Sequence, residues 1–142
     1  MLKRIEKISL ALLLSALCGS VLADVVVIAH PSASVSSLDA QSVKKIFLGR
    51  INAFPNGDAL VAVEQPSGSA TMTAFHNKVT KKTPDKLQTY WAKMVLSGKG
   101  TKLNVLPSDA DVKAWVASHP NALGYIDESQ ADGSVKVVYS PE

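Results

Sequence analysis

Cysteine is nearly absent from this chain of 142 residues. The one cysteine, Cys18, lies in an apolar segment close to the start of the chain, so residues 24–142 contain none. Disulfide bonds, thiolate metal ligands and a cysteine nucleophile are therefore excluded for that part of the chain. The spacing of metal ligands is lacking as well, because the three histidines are dispersed at positions 30, 76 and 119. We predict no metal site and no cofactor.

A hydrophobic run long enough for a permanent membrane anchor is also lacking. Three basic residues precede the apolar stretch 8–22, which is shorter than the ~20 residues needed to cross the hydrocarbon core of a bilayer. The small residue Ala23 follows this stretch, as cleavage by a signal peptidase requires. The sequence therefore predicts a signal peptide at 1–23, a mature domain at 24–142 and a periplasmic location.

An excess of charge of one sign is missing too. The whole chain has a formal charge of +3, but the predicted signal peptide contains three of the 15 basic residues and one of the 12 acidic ones, which leaves a charge of +1. This balance favours neither nucleic-acid binding nor attachment to a membrane through a basic patch. The mature chain has the size of one domain, and its hydrophobic core must stabilise it without disulfides.

Short apolar runs in the mature chain predict strands. The β-branched run at 25–29 is typical of a strand buried on both faces, as in a sheet with helices on each side. Residues 121–124 predict a turn. Further strands are predicted at 60–63, 125–126 and 135–139.

Helix-capping residues alternate with these strands. One predicted helix follows the hydroxyl-rich residues 67–71. The next begins after Thr83, and its side chains Trp91 and Val95 are expected to face the core. The alternation predicts an α/β domain with a small mixed sheet flanked by about four helices. The other caps are Asp39, Thr83 and Ser108.

The hydroxyl-rich start is the most informative candidate site. It consists of Ser67, Gly68, Ser69 and Thr71. A helix N-terminus presents unpaired N–H donors and the positive end of the helix dipole, and hydroxyl groups add neutral donors, which together suit a tetrahedral oxyanion. An ordinary helix cap with a flexible glycine explains the same residues, and the spacing alone leaves both interpretations open.

Two further serines are candidate ligands. Ser108 begins a second donor-rich helix, although it too has an ordinary role as a cap. Ser32 directly follows the first strand, where ligands of α/β sheets bind, unless its loop is simply solvated. Lys99 and Lys102 flank Gly100 and either approach an anion or are exposed loop lysines.

Catalysis is not predicted. No Gly-x-Ser-x-Gly motif surrounds Ser69, and no cysteine is available as a nucleophile. A hydrolase assembled from distant residues would need a base close to Ser69 in space. We therefore expect no catalytic residues and no enzymatic activity.

The order of several segments resembles that of a known family, the phosphate-binding-protein-like domain of the periplasmic substrate-binding proteins of phosphate ABC transporters. Each segment is weak by itself, but together they cover nearly all of the mature chain. The segments are 46–50, 54–57, 67–75, 90–91, 97–100 and 121–126.

The resemblance implies one lobe of a two-lobed binder, in which helix-start hydroxyls hold phosphate with an arginine and an aspartate. Ser69 and Thr71 match those hydroxyls, and the region of Ser108 resembles the second helix start. The typical arginine is replaced by Gln65, and the second glycine of the motif by Ala70. A site on one lobe is open to water on one side, which weakens binding.

The expected function is therefore binding of phosphate or a related oxyanion for ABC-type transport, with an ABC permease as partner. A second copy of the chain, as a homodimer, or another protein would close the site. The alternative is a non-catalytic interaction or sensor module of the cell envelope with a vestigial anion site.

Mass spectrometry of the exported protein tests the predicted processing. Because Ala23 ends the apolar run with a small side chain, the mature N-terminus is expected at Asp24. An intact Met1, or a lipid attached to Cys18, would contradict a soluble periplasmic protein.

Overall fold

The computed structural model describes residues 24–100 and 102–141, so the predicted signal peptide lies outside the described residues. Five strands in this part of the chain form one mixed sheet. They are β1 (Val25–Ala29), β2 (Val61–Glu64), β3 (Asn104–Val105), β4 (Ala122–Asp127) and β5 (Lys136–Tyr139). Their order across the sheet is β3-β2-β4-β1-β5.

Four α-helices accompany the sheet, as the capping residues predicted. They are α1 (Ala40–Phe47), α2 (Ala70–Lys78), α3 (Pro84–Leu96) and α4 (Asp109–Ser118), and a 3-10 turn follows at Glu128–Gln130. No helix in the described ranges combines the length and apolarity needed to cross a bilayer. Asp39 caps α1 by accepting the Ser42 N–H at 2.6 Å, and this hydrogen bond lowers the pKa of the Asp39 carboxyl.

Strand direction decides which loops share an edge of the sheet. β2 is parallel to β3 and β4, whereas β1 is antiparallel to β4 and β5. The carboxyl ends of β2, β3 and β4 therefore lie at one edge. The carboxyl end of β1 lies at the opposite edge, where Ala29 pairs with Leu123 near the start of β4.

Both faces of the sheet carry a hydrophobic core. Helices α1, α2 and α3 cover one face, and α4 covers the other. The side chains of β1 alternate between them, with Val27 in the first core and Ile28 in the second. This confirms the prediction that β1 is buried on both faces.

The predicted turn at 121–124 is wrong, because β4 begins at Ala122. Gly124 lies inside this strand, and a Cβ atom there would come within 2.6 Å of Val112 Cγ1 in α4. The glycine allows the helix to pack closely on the strand. The sequence alone does not distinguish that role from a turn.

The buried face of α3 is narrower than predicted. Trp91 is buried as expected, but Val95 is 53% exposed. Val95 instead lines a groove next to β3, together with Val105. β3 was not predicted, because both of its residues are exposed and so short a strand shows no hydrophobic periodicity.

A buried polar network ties the end of β2 to α2 and β4. The carboxylate of Glu64, a residue only 6% exposed, accepts hydrogen bonds from the Tyr125 hydroxyl and from the Gln65 N–H, the latter at 3.0 Å. Its second oxygen lies 2.8 Å from Nε2 of His76, which is 1% exposed. One carboxylate thus links three elements of the first core.

Both ring nitrogens of His76 have hydrogen-bond partners. The Thr80 hydroxyl lies 2.9 Å from Nδ1 and 3.2 Å from the His76 carbonyl oxygen, and the Glu64 carboxylate lies 2.8 Å from Nε2. Both ring nitrogens of this buried histidine are therefore engaged in holding the fold.

Replacing Glu64 tests how much this network contributes to the stability of the fold. Glu64→Ala leaves the partner groups on His76 and Tyr125 buried without an acceptor, so we expect it to lower the free energy of unfolding by about 3–5 kcal/mol. Urea unfolding followed by circular dichroism measures this loss. The exposed acid Glu128 provides a control, since Glu128→Ala is expected to change stability by less than about 0.5 kcal/mol. Equal effects of the two substitutions would contradict the role of Glu64.

Candidate functional site

Two of the predicted helix starts lie at the same edge of the sheet. β2 leads into α2, and β3 leads into α4, so both helices begin beyond the carboxyl ends of parallel strands. Ser69 caps α2 and accepts the Met72 N–H at 3.0 Å. Ser108 caps α4 and accepts the Asp111 N–H at 3.2 Å. Both serines therefore occupy the capping positions that the sequence predicted.

Side chains join the two helix starts directly. The Gln65 amide donates to one oxygen of Asp109 at 2.7 Å, and the Thr71 hydroxyl donates to the other at 3.3 Å. The Ser69 hydroxyl donates to the side-chain oxygen Oε1 of Gln65 at 3.2 Å. We call this set of four residues, Gln65, Ser69, Thr71 and Asp109, the helix junction.

Gln65 is fixed from several sides. The residue is only 3% exposed, and its amide also donates to the Tyr125 carbonyl oxygen at 3.0 Å. Its backbone N–H bonds the Glu64 carboxylate, which belongs to the buried network. The buried network and the helix junction thus share this residue, and the network holds the junction in place.

Hydrogen-bond donors and one carboxylate meet at the helix junction. The carboxylate of Asp109 is itself an oxyanion, and two neutral donors converge on it. The N–H groups of Ala70 and Thr71 open α2 and have no acceptor within the helix, and the helix dipole places partial positive charge there. The Asp109 carboxylate thus lies among neutral donors close to the start of α2.

Ser67 and Gly68 lie at the exposed rim of this region. Gly68 has a φ of 96°, a left-handed conformation that favours glycine and lets the chain turn from β2 into α2. Ser67 borders a groove of about 580 Å³, whose walls include Trp91 and Val95. The groove walls are largely apolar, and Lys102 also borders the groove.

Ser32 is not brought to the helix junction. It follows β1, whose antiparallel direction carries its carboxyl end to the opposite edge of the sheet. There the Ser32 N–H and hydroxyl contact His30 Nδ1, at 3.0 and 2.8 Å. The sequence shows that a strand ends before Ser32, but not that this strand is antiparallel to its neighbour.

Gln65 and Asp109 are the functional candidates that the sequence reasoning missed. Gln65 stood out only as a departure from the family's arginine, and Asp109 was not singled out. A signal for Asp109 was present, because it directly follows the capping residue Ser108. Their pairing depends on a contact between residues 44 positions apart, which no local pattern reveals.

In the described ranges, the hydroxyl of Ser69 has no hydrogen bond to a histidine or a carboxylate. Its hydroxyl bonds Gln65 and Met72, while the ring nitrogens of His76 bond Glu64 and Thr80. In the same ranges, no group of three or more histidine or acidic side chains is placed to hold a metal ion. The geometry at the helix junction therefore offers hydrogen-bond donors and one carboxylate.

Comparisons of sequence and of structure give different results. The sequence matches no protein-family model and no curated protein. The fold matches a protein assigned to the phosphate ABC transporter substrate-binding proteins of Clostridium perfringens, solved with bound phosphate, at 25% identity and a TM-score of 0.64 over 81% of this chain. An ABC-type phosphate transport receptor from Vibrio cholerae matches at 16% identity and a TM-score of 0.63, also over 81%.

A third structure, PstS from Borrelia burgdorferi, matches over 81% of this chain at 15% identity and a TM-score of 0.63. The chain spans less than half the length of these proteins, namely 44%, 45% and 46% of each in the order given. The predicted α/β class, with a small mixed sheet and four helices in the described ranges, is confirmed. This chain has the fold of one lobe of the substrate-binding proteins of phosphate ABC transporters.

Proposed function

We propose that this protein binds phosphate or a closely related oxyanion at the helix junction, without catalysing a reaction. The observation that carries the proposal is the convergence of the Gln65 amide and the Thr71 hydroxyl on the oxygens of Asp109, at the start of α2. Ser67, Gly68, Ser69 and Ser108 complete the site, since they belong to the two helix starts that meet there. Ser32 is left out of this proposal because it lies at the opposite edge of the sheet.

The likeness to known structures supports the same ligand. One structure with this fold was solved with bound phosphate, and it is 25% identical to this chain. The junction provides neutral donors and a helix dipole, which balance the charge of a small anion without a metal ion. Gln65 takes the place of the family's arginine, so the site depends on neutral donors and we expect weak binding.

Asp109 determines which oxyanion the junction accepts. Two anions repel each other at hydrogen-bond distance unless a proton lies between them. Phosphate retains a proton near neutral pH and can donate it to the Asp109 carboxylate, whereas sulfate has none to donate. The junction is therefore expected to prefer phosphate over sulfate.

The biological setting follows from the single lobe. Two-lobed binders enclose a ligand between lobes, and this chain spans less than half the length of its structural neighbours. A second copy, in a homodimer, or another protein would cover the exposed side of the helix junction. We propose that the mature domain 24–142 works in the periplasm, after cleavage of 1–23, and delivers its anion to an ABC permease.

A second candidate function is a non-catalytic interaction or sensor module in the cell envelope. Two observations favour it: Gln65 replaces the arginine, and Asp109 already occupies the donors of Gln65 and Thr71. In this case the anion site is vestigial and the lobe serves to dock another protein. Ligand binding by the isolated protein distinguishes the two functions.

Calorimetry with phosphate on the exported protein tests the proposed site. A hydrogen bond to a charged group contributes about 1.5–3 kcal/mol, so Ser69→Ala combined with Thr71→Ala should weaken phosphate binding by roughly 2–5 kcal/mol, allowing for coupling between neighbours. Loss of the Ser69 cap also lowers fold stability by about 0.5–2 kcal/mol, which urea unfolding without ligand measures separately.

Ser32→Ala is the matched control, because it removes a hydroxyl from the opposite edge of the sheet. It is expected to leave phosphate affinity unchanged. If the wild type binds no phosphate at millimolar concentration, or if the double variant binds as well as the wild type, the binding function is wrong. Absence of binding by the wild type would favour the interaction module.

The preference between anions gives a second test. Asp109→Asn replaces the carboxylate by an amide that can donate to a fully deprotonated anion. The ratio of phosphate to sulfate affinity should fall by about tenfold or more, the equivalent of one hydrogen bond to a charged group. An unchanged ratio in calorimetric titrations would show that Asp109 does not face the ligand.

A further inference from the structure

A second cavity lies at the other end of β2, away from the helix junction. It has a volume of about 440 Å³ and is lined by the first residues of β2 and by the loops that follow α1 and α3. Three cationic side chains border it, those of Arg50, Lys99 and Lys102. All of its lining residues are in the described ranges, and none of them is acidic.

Glycines bring the two loops of this cavity together. Gly49 and Gly98 have φ values of 71° and 68°, and they turn the chain after α1 and α3. A Cβ atom on Gly100 would lie 3.7 Å from the Gly49 carbonyl oxygen and 2.8 Å from Met94 Cε, so the loops touch where Gly100 has no side chain. Because Arg50 follows Gly49 and Lys99 precedes Gly100, this contact brings the two cations to one cavity.

The guanidinium of Arg50 is held in place by Tyr90. The Tyr90 hydroxyl donates to the Leu48 carbonyl oxygen at 2.7 Å and accepts from Arg50 Nε at 3.4 Å. This contact uses only the Nε–H, and the terminal nitrogens of a guanidinium form a planar fork that matches phosphate oxygens. The contact with Tyr90 therefore does not use the terminal nitrogens of Arg50.

Charge is unevenly distributed around this cavity, although the net charge of the mature chain is close to zero. Residues 44–102 contain ten of the basic residues but only three acidic ones, whereas residues 103–142 contain two basic and six acidic ones. The segment 44–102 contains the second half of α1 and all of α2 and α3, the helices that cover one face of the sheet. That face is therefore positive and attracts anions to the cavity from a distance.

We propose that the cavity bordered by Arg50, Lys99 and Lys102 binds a small phosphoanion with three or more negative charges, of which pyrophosphate is the simplest. A single phosphate would balance at most two of the three cations and would occupy little of the cavity, which falls within the size range of ligand sites. Arg50 and Lys99 border only this cavity, whereas Lys102 also borders the groove beside Ser67, at the other end of β2.

The experiment compares two double variants of the exported protein in calorimetric titrations with pyrophosphate. Arg50→Gln with Lys99→Gln removes two cations that border this cavity and not the groove beside the helix junction. Lys45→Gln with Lys86→Gln removes the same charge from exposed positions on the same helical face, outside the cavity. We expect the first pair to weaken pyrophosphate binding roughly tenfold, and the second pair to change it less than about twofold.

A single variant, Lys99→Gln, provides a milder change if the first pair unfolds, and it should weaken pyrophosphate binding in the same direction. The proposal is overturned if the wild type binds no pyrophosphate, or if both pairs weaken binding equally, since a diffuse surface charge would then explain the result. It is also overturned if only Ser69→Ala with Thr71→Ala reduces pyrophosphate binding. Binding to vesicles of anionic phospholipid without binding of free pyrophosphate would overturn it as well.

Discussion

The buried carboxylate of Glu64 is the constraint on which the rest of the candidate site depends. It ends β2, pairs with His76 of α2, accepts from the Tyr125 hydroxyl of β4 and holds the backbone of the next residue, Gln65. A buried charge is costly unless it is paired and fully hydrogen-bonded, and both oxygens of this carboxylate have partners. In the described ranges, every buried side-chain nitrogen and oxygen atom has a hydrogen-bond partner. The end of β2 is therefore fixed before any ligand arrives.

That rigidity explains how two helices from distant parts of the chain form one site. Gln65 extends from the fixed end of β2 to Asp109 at the start of α4, while Thr71 reaches the same carboxylate from α2. A preorganised site loses little conformational entropy when it binds a ligand. Its donors are already bonded to Asp109, however, so an incoming oxyanion must share a proton with that carboxylate or displace it. Under the proposed function, this competition limits the affinity of a single open lobe.

The sequence predicts most of the fold because its signals are local. Caps such as Thr83 and Ser108 mark helix starts through hydrogen bonds that span only three residues, and the apolar run of β1 marks a strand buried on both faces. Gly124 was wrongly assigned to a turn, because a glycine is needed there for close packing against Val112 of α4, a contact between distant parts of the chain. Val95 was misplaced because helical periodicity does not show where the core ends.

The candidate site was predictable only in part, for the same physical reason. Hydroxyls at a helix start, such as Ser69 and Thr71, are visible in the sequence. Their meeting with Asp109, and the separation of Ser32 from them, depend on the direction in which β1 and β2 run against β4. The net charge of the mature chain did not reveal its charge distribution either, because a total near zero is compatible with a positive face over α1, α2 and α3.

Amide chemical shifts of the ¹⁵N-labelled exported protein, recorded during a titration with phosphate, test the central claim most directly. The claim is that an oxyanion binds where α2 and α4 begin. The account predicts that the largest shifts occur at Gly68, Ala70 and Thr71, with the amide of Ser32 unchanged. Absence of shifts at the start of α2, or larger shifts at the opposite edge of the sheet, would contradict it.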